Sequence, residues 1–180
     1  MARPAVFLDR DGTLNVEKEY LHRWEDWEWI PGAIDAIRRL NEAGYLVIVT
    51  TNQSGVARGY YAEADVERLH RQVDEDLAHH GAHIDAYYYC PHHPQYGEIR
   101  DCDCRKPEPG MLLAAAREHD IDLEHSFMIG DKAADVEAAL AVGATPILVL
   151  TGYGVEEQED IPPATFIAQD VARAVDWILG

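Results

Sequence analysis

The chain has 180 residues, 33 of them acidic and 15 basic, so its formal charge is −18 at pH 7. This balance argues against nucleic acid or an anionic membrane surface as the main partner, because both require clustered lysine and arginine. Apolar residues make up 47% of the chain, which excludes global disorder and leads us to expect one domain over residues 1–180.

Five short apolar runs alternate with segments of helical period along the chain. This alternation predicts an α/β fold with a Rossmann-like, mainly parallel sheet flanked by helices. Each run is almost uninterrupted, as expected for a strand with both faces covered by helices. The predicted strands are Ala5–Asp9, Tyr45–Thr51, Ile84–Cys90, Ser126–Gly130 and Pro146–Thr151.

Amphipathic patterns predict the helices between these strands. The clearest lies in Ala62–His80, where Val66, Leu69, Val73 and Leu77 recur at spacings of three and four residues. Such spacing places one apolar stripe toward the sheet. The other predicted helices are Ala33–Ala43, Gly110–His119, Ala133–Val142 and a last one containing Val171, Val175 and Ile178.

Polar side chains gather where the predicted strands end. Asp9 ends the first strand, Thr51 the second, and Asp131 directly follows the fourth. The carboxyl ends of parallel strands meet at one edge of a sheet, where ligands bind. We therefore expect these side chains to face a common site.

An aspartate at a strand end, with another two residues later, suits covalent phosphoryl transfer. Asp9 is the expected nucleophile, and its approach to a phosphate anion requires cations nearby. Asp9, Asp131 and the backbone carbonyl of Asp11 offer oxygen ligands for Mg²⁺, which leaves the Asp11 side chain for proton transfer. An isolated Asp-x-Asp is more often a solvated turn, but Lys106 and Lys132 in the other strand-end segments favour a phosphate site.

All three cysteines fall within one window of the chain, together with a histidine. Cys90, His92, Cys102 and Cys104 offer three thiolates and one imidazole, a set that suits tetrahedral Zn²⁺ in a structural site. His93 is an alternative to His92 as the nitrogen ligand. The other interpretation, reduced cysteines beside a surface histidine, stays open.

The sequence also predicts the compartment. Its longest apolar runs are too short to cross a bilayer, and the charged Asp9–Asp11 comes too early for a signal peptide. An odd number of clustered cysteines is typical of a reducing environment. We expect a cytoplasmic protein without a membrane or nucleic-acid partner.

Four motifs in order resemble those of the haloacid dehalogenase-like phosphatases. They are Phe7–Asn15 (FLDRDGTLN), Thr51–Gly55 (TNQSG), Cys104–Pro107 (CRKP) and Gly130–Lys132 (GDK). The resemblance runs from about Ala5 to Gly152. It implies a Mg²⁺-dependent phosphoric monoester hydrolase that acts through an aspartyl-phosphate intermediate.

The resemblance also implies roles for individual residues. Asp9 would be the nucleophile and Asp11 the proton donor, while Asp131 joins both in holding Mg²⁺. Thr51 and Lys106 would hold the phosphoryl group during its transfer. The implied substrate contacts are Glu17, Lys18, Glu19, Tyr20, Asn52, Gln53, Ser54, Arg105 and Lys132.

Related phosphatases often carry a large cap domain, for which this chain has no room. The intervals from about Arg10 to Gly32 and from about Pro91 to Arg105 are too short, so we expect an open site shaped by loops. Two substrates stay open, a sugar with two phosphates and an amino-alcohol phosphate. The cations at Lys18, Arg105 and Lys132 favour the sugar, with Arg105 and Lys132 gripping its distal phosphate.

Two further expectations complete the sequence-based interpretation. The family resemblance favours a monomer. A different class of function also stays open, a non-catalytic module that either accepts phosphate on an aspartate or is a zinc-stabilised binding domain. Repeated turnover, with release of phosphate, distinguishes an enzyme from such a module.

Overall fold

A computed structural model describes all 180 residues, and its centre is a six-stranded parallel sheet with the order β3-β2-β1-β4-β5-β6. The strands are β1 (Ala5–Leu8), β2 (Leu46–Asn52), β3 (Ala86–Cys90), β4 (Phe127–Gly130), β5 (Thr145–Val149) and β6 (Phe166–Ala168). The helices are α1 (Ala33–Glu42), α2 (Glu63–His79), α3 (Gly110–His119), α4 (Ala133–Val142), the short α5 (Gly154–Glu157) and α6 (Val171–Leu179).

The α/β prediction is confirmed, and each predicted strand corresponds to a strand whose ends differ by at most two residues. The sheet is wider than expected, because Phe166–Ala168 adds a sixth strand beside β5. This strand has only three residues, one of them exposed, so its apolar run is too short to predict a strand.

Helices cover both faces of the sheet and divide its core in two. The larger apolar cluster of 23 residues lies under α1, α2 and α6, and the smaller one of 11 residues lies under α3 and α4. Alternate residues of β1 face the two sides, Val6 and Leu8 toward the first cluster and Ala5 and Phe7 toward the second. This explains why β1 is apolar at every position.

The strand order reverses direction at β1, which pairs with β2 on one side and β4 on the other. Ligands bind at such a switch point, outside the carboxyl ends of the strands. Residues 9–32 and 91–109 cross this edge as loops, and one three-residue 3-10 helix, Trp24–Asp26, is the only helix within them. No cap domain is inserted at either place. None of the helices has the length and apolar character needed to cross a bilayer.

Candidate active site

A cleft of about 360 Å³ opens at the carboxyl ends of the central strands. It gathers residues from loops that follow β1, β2, β3 and β4, as expected for a switch point. The predicted site residues that line it are Asp9, Asp11, Glu17, Glu19, Tyr20, Thr51, Asn52, Gln53, Ser54, Arg105, Lys106 and Lys132.

Three buried carboxylates meet beneath the cleft and form what we call the carboxylate cluster: Asp9, Asp131 and Asp135. Their oxygens lie within 4.8 Å of one another. The Lys106 ammonium donates to Asp9 Oδ1 at 3.1 Å, to Asp135 Oδ1 at 2.6 Å and to the carbonyl of Thr50 at 2.7 Å. With all three carboxylates ionised, they and the one ammonium carry a net charge of −2, and burial together with this charge raises the pKa of Asp131 and Asp135.

The chemistry of this cluster fits a divalent cation. Asp131 Oδ1 is buried without a hydrogen-bond partner, while its Oδ2 accepts from the backbone N–H of Tyr153 at 2.9 Å. Burial, followed by the charges of Asp9 and Asp135, raises the pKa of Asp131 to about 9. An all-oxygen set with unbalanced negative charge is what Mg²⁺ prefers, so these residues are suited to hold it.

Sequence reasoning missed Asp135, a third carboxylate beside Asp9 and Asp131 in this cluster. Asp135 lies on α4, four residues after Asp131, so both project from the same region. Burial and Asp9 raise its pKa to about 6, although Lys106 opposes the rise. The available signal was a single acidic residue on the buried face of an apolar helix.

Glycines make room for the carboxylates. A side chain on Gly12 or Gly152 would collide with the Asp131 carboxylate, and one on Gly130 would collide with Asp135. Gly12 also has a φ of 85°, a left-handed conformation that favours glycine. The Gly12 in the first motif is thus required by the approach of Asp131 as well as by its own turn.

The Asp11 carboxylate points away from the carboxylate cluster and is held by hydrogen bonds. It accepts from Asn15 Nδ2 at 2.9 Å, Gln53 Nε2 at 3.1 Å and the guanidinium of Arg10 at 3.0 Å. Burial alone raises the pKa of Asp11, but the Arg10 charge and these hydrogen bonds outweigh it and hold the pKa below its usual range. Its side chain is therefore placed apart from the metal-binding oxygens.

Gln53 is locked in one orientation by a buried tyrosine. Tyr61 Oη donates to Gln53 Oε1 at 2.6 Å, which fixes Nε2 as the donor to Asp11 and to Thr51 Oγ1, the latter at 2.8 Å. Tyr61 packs so tightly on Gly55 that any side chain at Gly55 would overlap its ring. The amide thus links the two sides of the cleft in a defined geometry.

Lys106 is held by a reciprocal pair of hydrogen bonds to the strand-end residue Asn52. Asn52 Oδ1 accepts from the Lys106 backbone N–H at 3.0 Å, and Asn52 Nδ2 donates to the Lys106 carbonyl at 3.1 Å. The loop after β3 is thereby tied to the end of β2. This tie brings the Lys106 ammonium under the sheet edge, where it is 4% exposed.

The second cluster of potential metal ligands, which we call the thiol cluster, joins Cys90, His92, Cys102 and Cys104. Cys90 Sγ lies 2.7 Å from Cys104 Sγ and 3.7 Å from Cys102 Sγ, and His92 Nδ1 lies 3.5 Å from Cys104 Sγ. The geometry favours His92 over His93, which lines the cleft instead. Three sulfurs and one nitrogen converging in this way fit Zn²⁺.

The predicted cations occupy different places. Lys132 lies beside the carboxylate cluster: burial lowers its pKa, but Asp9, Asp131, Asp135 and Glu17 more than offset this and raise it. Arg105 donates to the carbonyl of His92 at 3.4 Å, on the side of the thiol cluster. Lys18 does not reach the cleft, because its ammonium donates to the carbonyl of Asp26 at 2.9 Å.

Comparison with known proteins identifies the family of the chain. A family model described as haloacid dehalogenase-like hydrolase matches residues 6–97, and a related one matches residues 103–174. The chain belongs to the haloacid dehalogenase-like hydrolases.

Two curated relatives in this family cover almost the whole chain. The D-glycero-D-manno-heptose-1,7-bisphosphate 7-phosphatase of Thermosynechococcus vestitus is 48% identical, covering 99% of this chain and 96% of its own. The D-glycero-beta-D-manno-heptose-1,7-bisphosphate 7-phosphatase of Escherichia coli K12 is 45% identical, covering 98% of this chain and 88% of its own.

The solved structures agree with this assignment. A D,D-heptose 1,7-bisphosphate phosphatase from B. bronchiseptica, crystallised with magnesium and phosphate, superposes with a TM-score of 0.88 at 35% identity and covers 98% of both chains. The chain is thus a haloacid dehalogenase-like phosphatase, as its motifs predicted, and the interpretation as a non-catalytic module is set aside.

Proposed function

We propose that the chain removes the 7-phosphate of D-glycero-D-manno-heptose 1,7-bisphosphate, in heptose precursor biosynthesis. The observation that carries this proposal is that relatives 45 to 48% identical over nearly the full chain bear the name of this activity. The cleft supports it, because it combines a nucleophile, a proton donor and separate cations. We also propose that residues 1–180 act as one domain.

Asp9 is proposed as the nucleophile. Its carboxylate oxygen attacks phosphorus, and the bond between phosphorus and the O7 oxygen of the sugar breaks. Lys106 donates to Asp9 Oδ1, so it orients this carboxylate and offsets part of the negative charge at the reacting centre. Asp9, Asp131 and the backbone carbonyl of Asp11 would hold Mg²⁺, with Asp135 beside them, and the ion would supply the remaining positive charge that lets two anions approach.

Asp11 is proposed to move the protons. The Arg10 charge and hydrogen bonds keep the pKa of Asp11 low, so the proton it donates is taken up together with the substrate, whose phosphate charges raise that pKa. Asp11 passes this proton to the departing O7 oxygen, and in the second half a water molecule attacks the phosphorus of the aspartyl phosphate while Asp11 accepts the proton of that water. This restores Asp9 and releases inorganic phosphate. The hydrogen bonds from Asn15 and Gln53 fix the orientation of Asp11 for both transfers.

The remaining residues bind the substrate. Thr51 and Lys106 are proposed to hold the oxygens of the transferred phosphoryl group, and Lys132 joins them from its place beside the carboxylates. Arg105 lies on the side of the cleft that borders the thiol cluster and is proposed to bind the distal phosphate. Other contacts to the sugar are assigned to Glu17, Glu19, Tyr20, Asn52, Gln53 and Ser54.

The thiol cluster is proposed to bind a structural Zn²⁺. Four protein ligands complete a tetrahedron, which leaves no open position for water. Cys104 directly precedes Arg105 and Lys106, so a metal at the cluster also fixes the backbone of these two cations. Zinc would thereby serve substrate binding without taking part in the reaction.

The test is multiple-turnover phosphate release by the zinc-loaded protein with Mg²⁺. The substrates are the two anomers of the heptose 1,7-bisphosphate and histidinol phosphate. Asp9→Asn is expected to lower turnover on the order of 10⁴-fold without unfolding the chain. The matched control is Asp160→Asn, because Asp160 is exposed and does not line the cleft.

Three results would change the proposal. A preference for histidinol phosphate would show that this compound, and not the heptose bisphosphate, is the substrate. Retention of more than about a hundredth of the activity by Asp9→Asn would exclude covalent catalysis through this residue. No Asp9-dependent release from any substrate would exclude both the substrates and the mechanism.

A further inference from the structure

Arg58 is a half-buried arginine without a carboxylate partner, in a chain whose formal charge is −18. Arg23, Arg38 and Arg39 form salt bridges with carboxylates at the surface, but the half-buried Arg58 forms none. Its Nε is buried and has no hydrogen-bond partner. Burying an unsatisfied donor is costly, so a missing acceptor is expected at this position.

Two aromatic rings hold the Arg58 guanidinium in place. Its central carbon lies 4.2 Å from the ring centre of Tyr96 and 5.6 Å from that of Tyr20. Tyr20 belongs to the loop after β1 and Tyr96 to the loop after β3, so the arginine joins two separate walls of the cleft. Stacking of this kind orients the planar guanidinium, while its Nε keeps no partner within the protein.

Arg58 lines the same cleft as the reacting residues but stands with a different set of neighbours. Its Nη2 lies 3.5 Å from His93 Nε2. Arg105 donates to the carbonyl of His92, the residue before His93, and Arg58, His93 and Arg105 all line this cleft. The Lys106 ammonium, in contrast, is bound to Asp9 and Asp135 of the carboxylate cluster.

The cleft therefore has two cationic regions rather than one. The first, at the carboxylate cluster, is suited to the phosphate that is transferred. The second, at Arg58 and Arg105, has no carboxylate to neutralise it and is suited to a second anionic group on the same substrate. A planar guanidinium binds two phosphate oxygens at once, which adds geometric selection to charge.

We propose that Arg58 is a specificity-determining residue, which binds the phosphate that is retained when a sugar bisphosphate is cleaved. This inference rests on the proposed function and assigns the recognition of the second phosphate to a residue outside the four family motifs. Tyr20 and Tyr96 act as positioning residues, because they hold the guanidinium before the substrate arrives.

The test compares two substrates that differ only in the second phosphate, the heptose 1,7-bisphosphate and the same heptose carrying the 7-phosphate alone. For Arg58→Gln, kcat/KM for the bisphosphate is expected to fall about tenfold or more, mainly through KM. For the monophosphate it should change little. Arg58→Lys keeps the charge but loses the planar fork, so an intermediate loss is expected.

The matched control is Arg71→Gln. Arg71 is exposed on α2, forms no salt bridge and does not line the cleft, so both substrates should be hydrolysed as by the wild type. Tyr96→Leu removes one of the two rings and is expected to weaken the preference for the bisphosphate by a smaller factor than Arg58→Gln. It should leave hydrolysis of the monophosphate unchanged.

Two patterns would overturn the inference. An equal loss on both substrates would make Arg58 a general structural residue, and no loss on either would remove it from recognition; in both cases the proposed function stands. Failure of the wild type to hydrolyse the bisphosphate would overturn the proposed function, and the role of Arg58 with it.

Discussion

The carboxylate cluster and the thiol cluster are both suited to a metal ion, but the chain builds them differently. Asp9, Asp131 and Asp135 come from distant parts of the sequence and are brought together by β1, β4 and α4. The thiol cluster comes from residues 90–104, two arms of one loop. The first is buried and depends on the whole sheet, whereas three of the four residues in the second are partly exposed.

The difference in ligands matches a difference in task. The carboxylate cluster contains an unpaired oxygen, an internal ammonium and a border with the cleft, which are features of a site that handles charge during a reaction. The thiol cluster has four ligands and no cation among them, which are features of a structural site. The carboxylate cluster depends on the long-range fold, whereas the thiol cluster is assembled within one short stretch of the chain next to Lys106.

Of the substitutions that test this comparison, one at the carboxylate cluster is expected to have the largest effect on activity. Asp131→Asn replaces the carboxylate that has the unpaired oxygen with a neutral amide. The cluster then offers less negative charge to a divalent cation. We expect kcat to fall about a hundredfold or more and the Mg²⁺ concentration for half-maximal activity to rise. The measurement is a Mg²⁺ titration of phosphate release.

Asp160→Asn serves again as the control, since Asp160 is exposed and belongs to neither cluster. An unchanged Mg²⁺ requirement in Asp131→Asn would show that this carboxylate does not face the cation. The carboxylate cluster could then not be described as the catalytic metal site in this comparison.

A smaller effect is expected at the thiol cluster. Cys104→Ser weakens zinc binding and loosens the backbone before Arg105 and Lys106, so phosphatase activity should fall about tenfold while the affinity for Mg²⁺ stays nearly intact. Zinc content and the Mg²⁺ titration are measured on the same sample. Unchanged kinetics in the zinc-free protein would contradict the proposed clamp.

The neighbouring histidines sharpen this prediction. His92→Gln should release zinc, whereas His93→Gln should retain it, because only His92 Nδ1 faces the sulfurs. Zinc loss from both variants would contradict the assignment of a single nitrogen ligand.

The smallest effect is expected at the tyrosine behind Gln53. Tyr61→Phe removes the hydroxyl that fixes the Gln53 amide, so the amide can rotate and weaken its hydrogen bond to Asp11. We expect kcat to fall about two- to fivefold with KM unchanged. Tyr60→Phe, at an exposed ring one residue earlier, should have wild-type kcat, and equal behaviour of the two variants would contradict a role for the Tyr61 hydroxyl.

How far the sequence predicts this molecule depends on whether a signal is local. The buried strands and amphipathic helices were predicted because their patterns repeat over several residues, and the thiol cluster was found because its ligands are close in the chain. β6 was missed because three residues are too few for a pattern. Asp135 was missed because its partner charges, Asp9 and Lys106, meet it only after the sheet has formed.

Two lysines show that the sequence does not reveal which group a side chain contacts. Lys18 was expected at the substrate because its charge suits phosphate, but a backbone carbonyl eight residues later holds its ammonium outside the cleft. Lys132 was expected to bind the distal phosphate; it lines the cleft within the influence of Asp9, Asp131 and Asp135, and its role toward the distal phosphate stays a prediction. Sequence predicts that a cation is available, but not which of several anions it faces.

The pair of hydrogen bonds between Asn52 and Lys106 has a thermodynamic consequence. It joins the end of β2 to a residue two positions after Cys104, so one short segment carries both a zinc ligand and a phosphate-binding lysine. Binding at two linked sites is reciprocal: if zinc raises the affinity for the substrate by some factor, the substrate must raise the affinity for zinc by the same factor. Cells short of zinc would then lose the metal first from enzyme molecules without substrate.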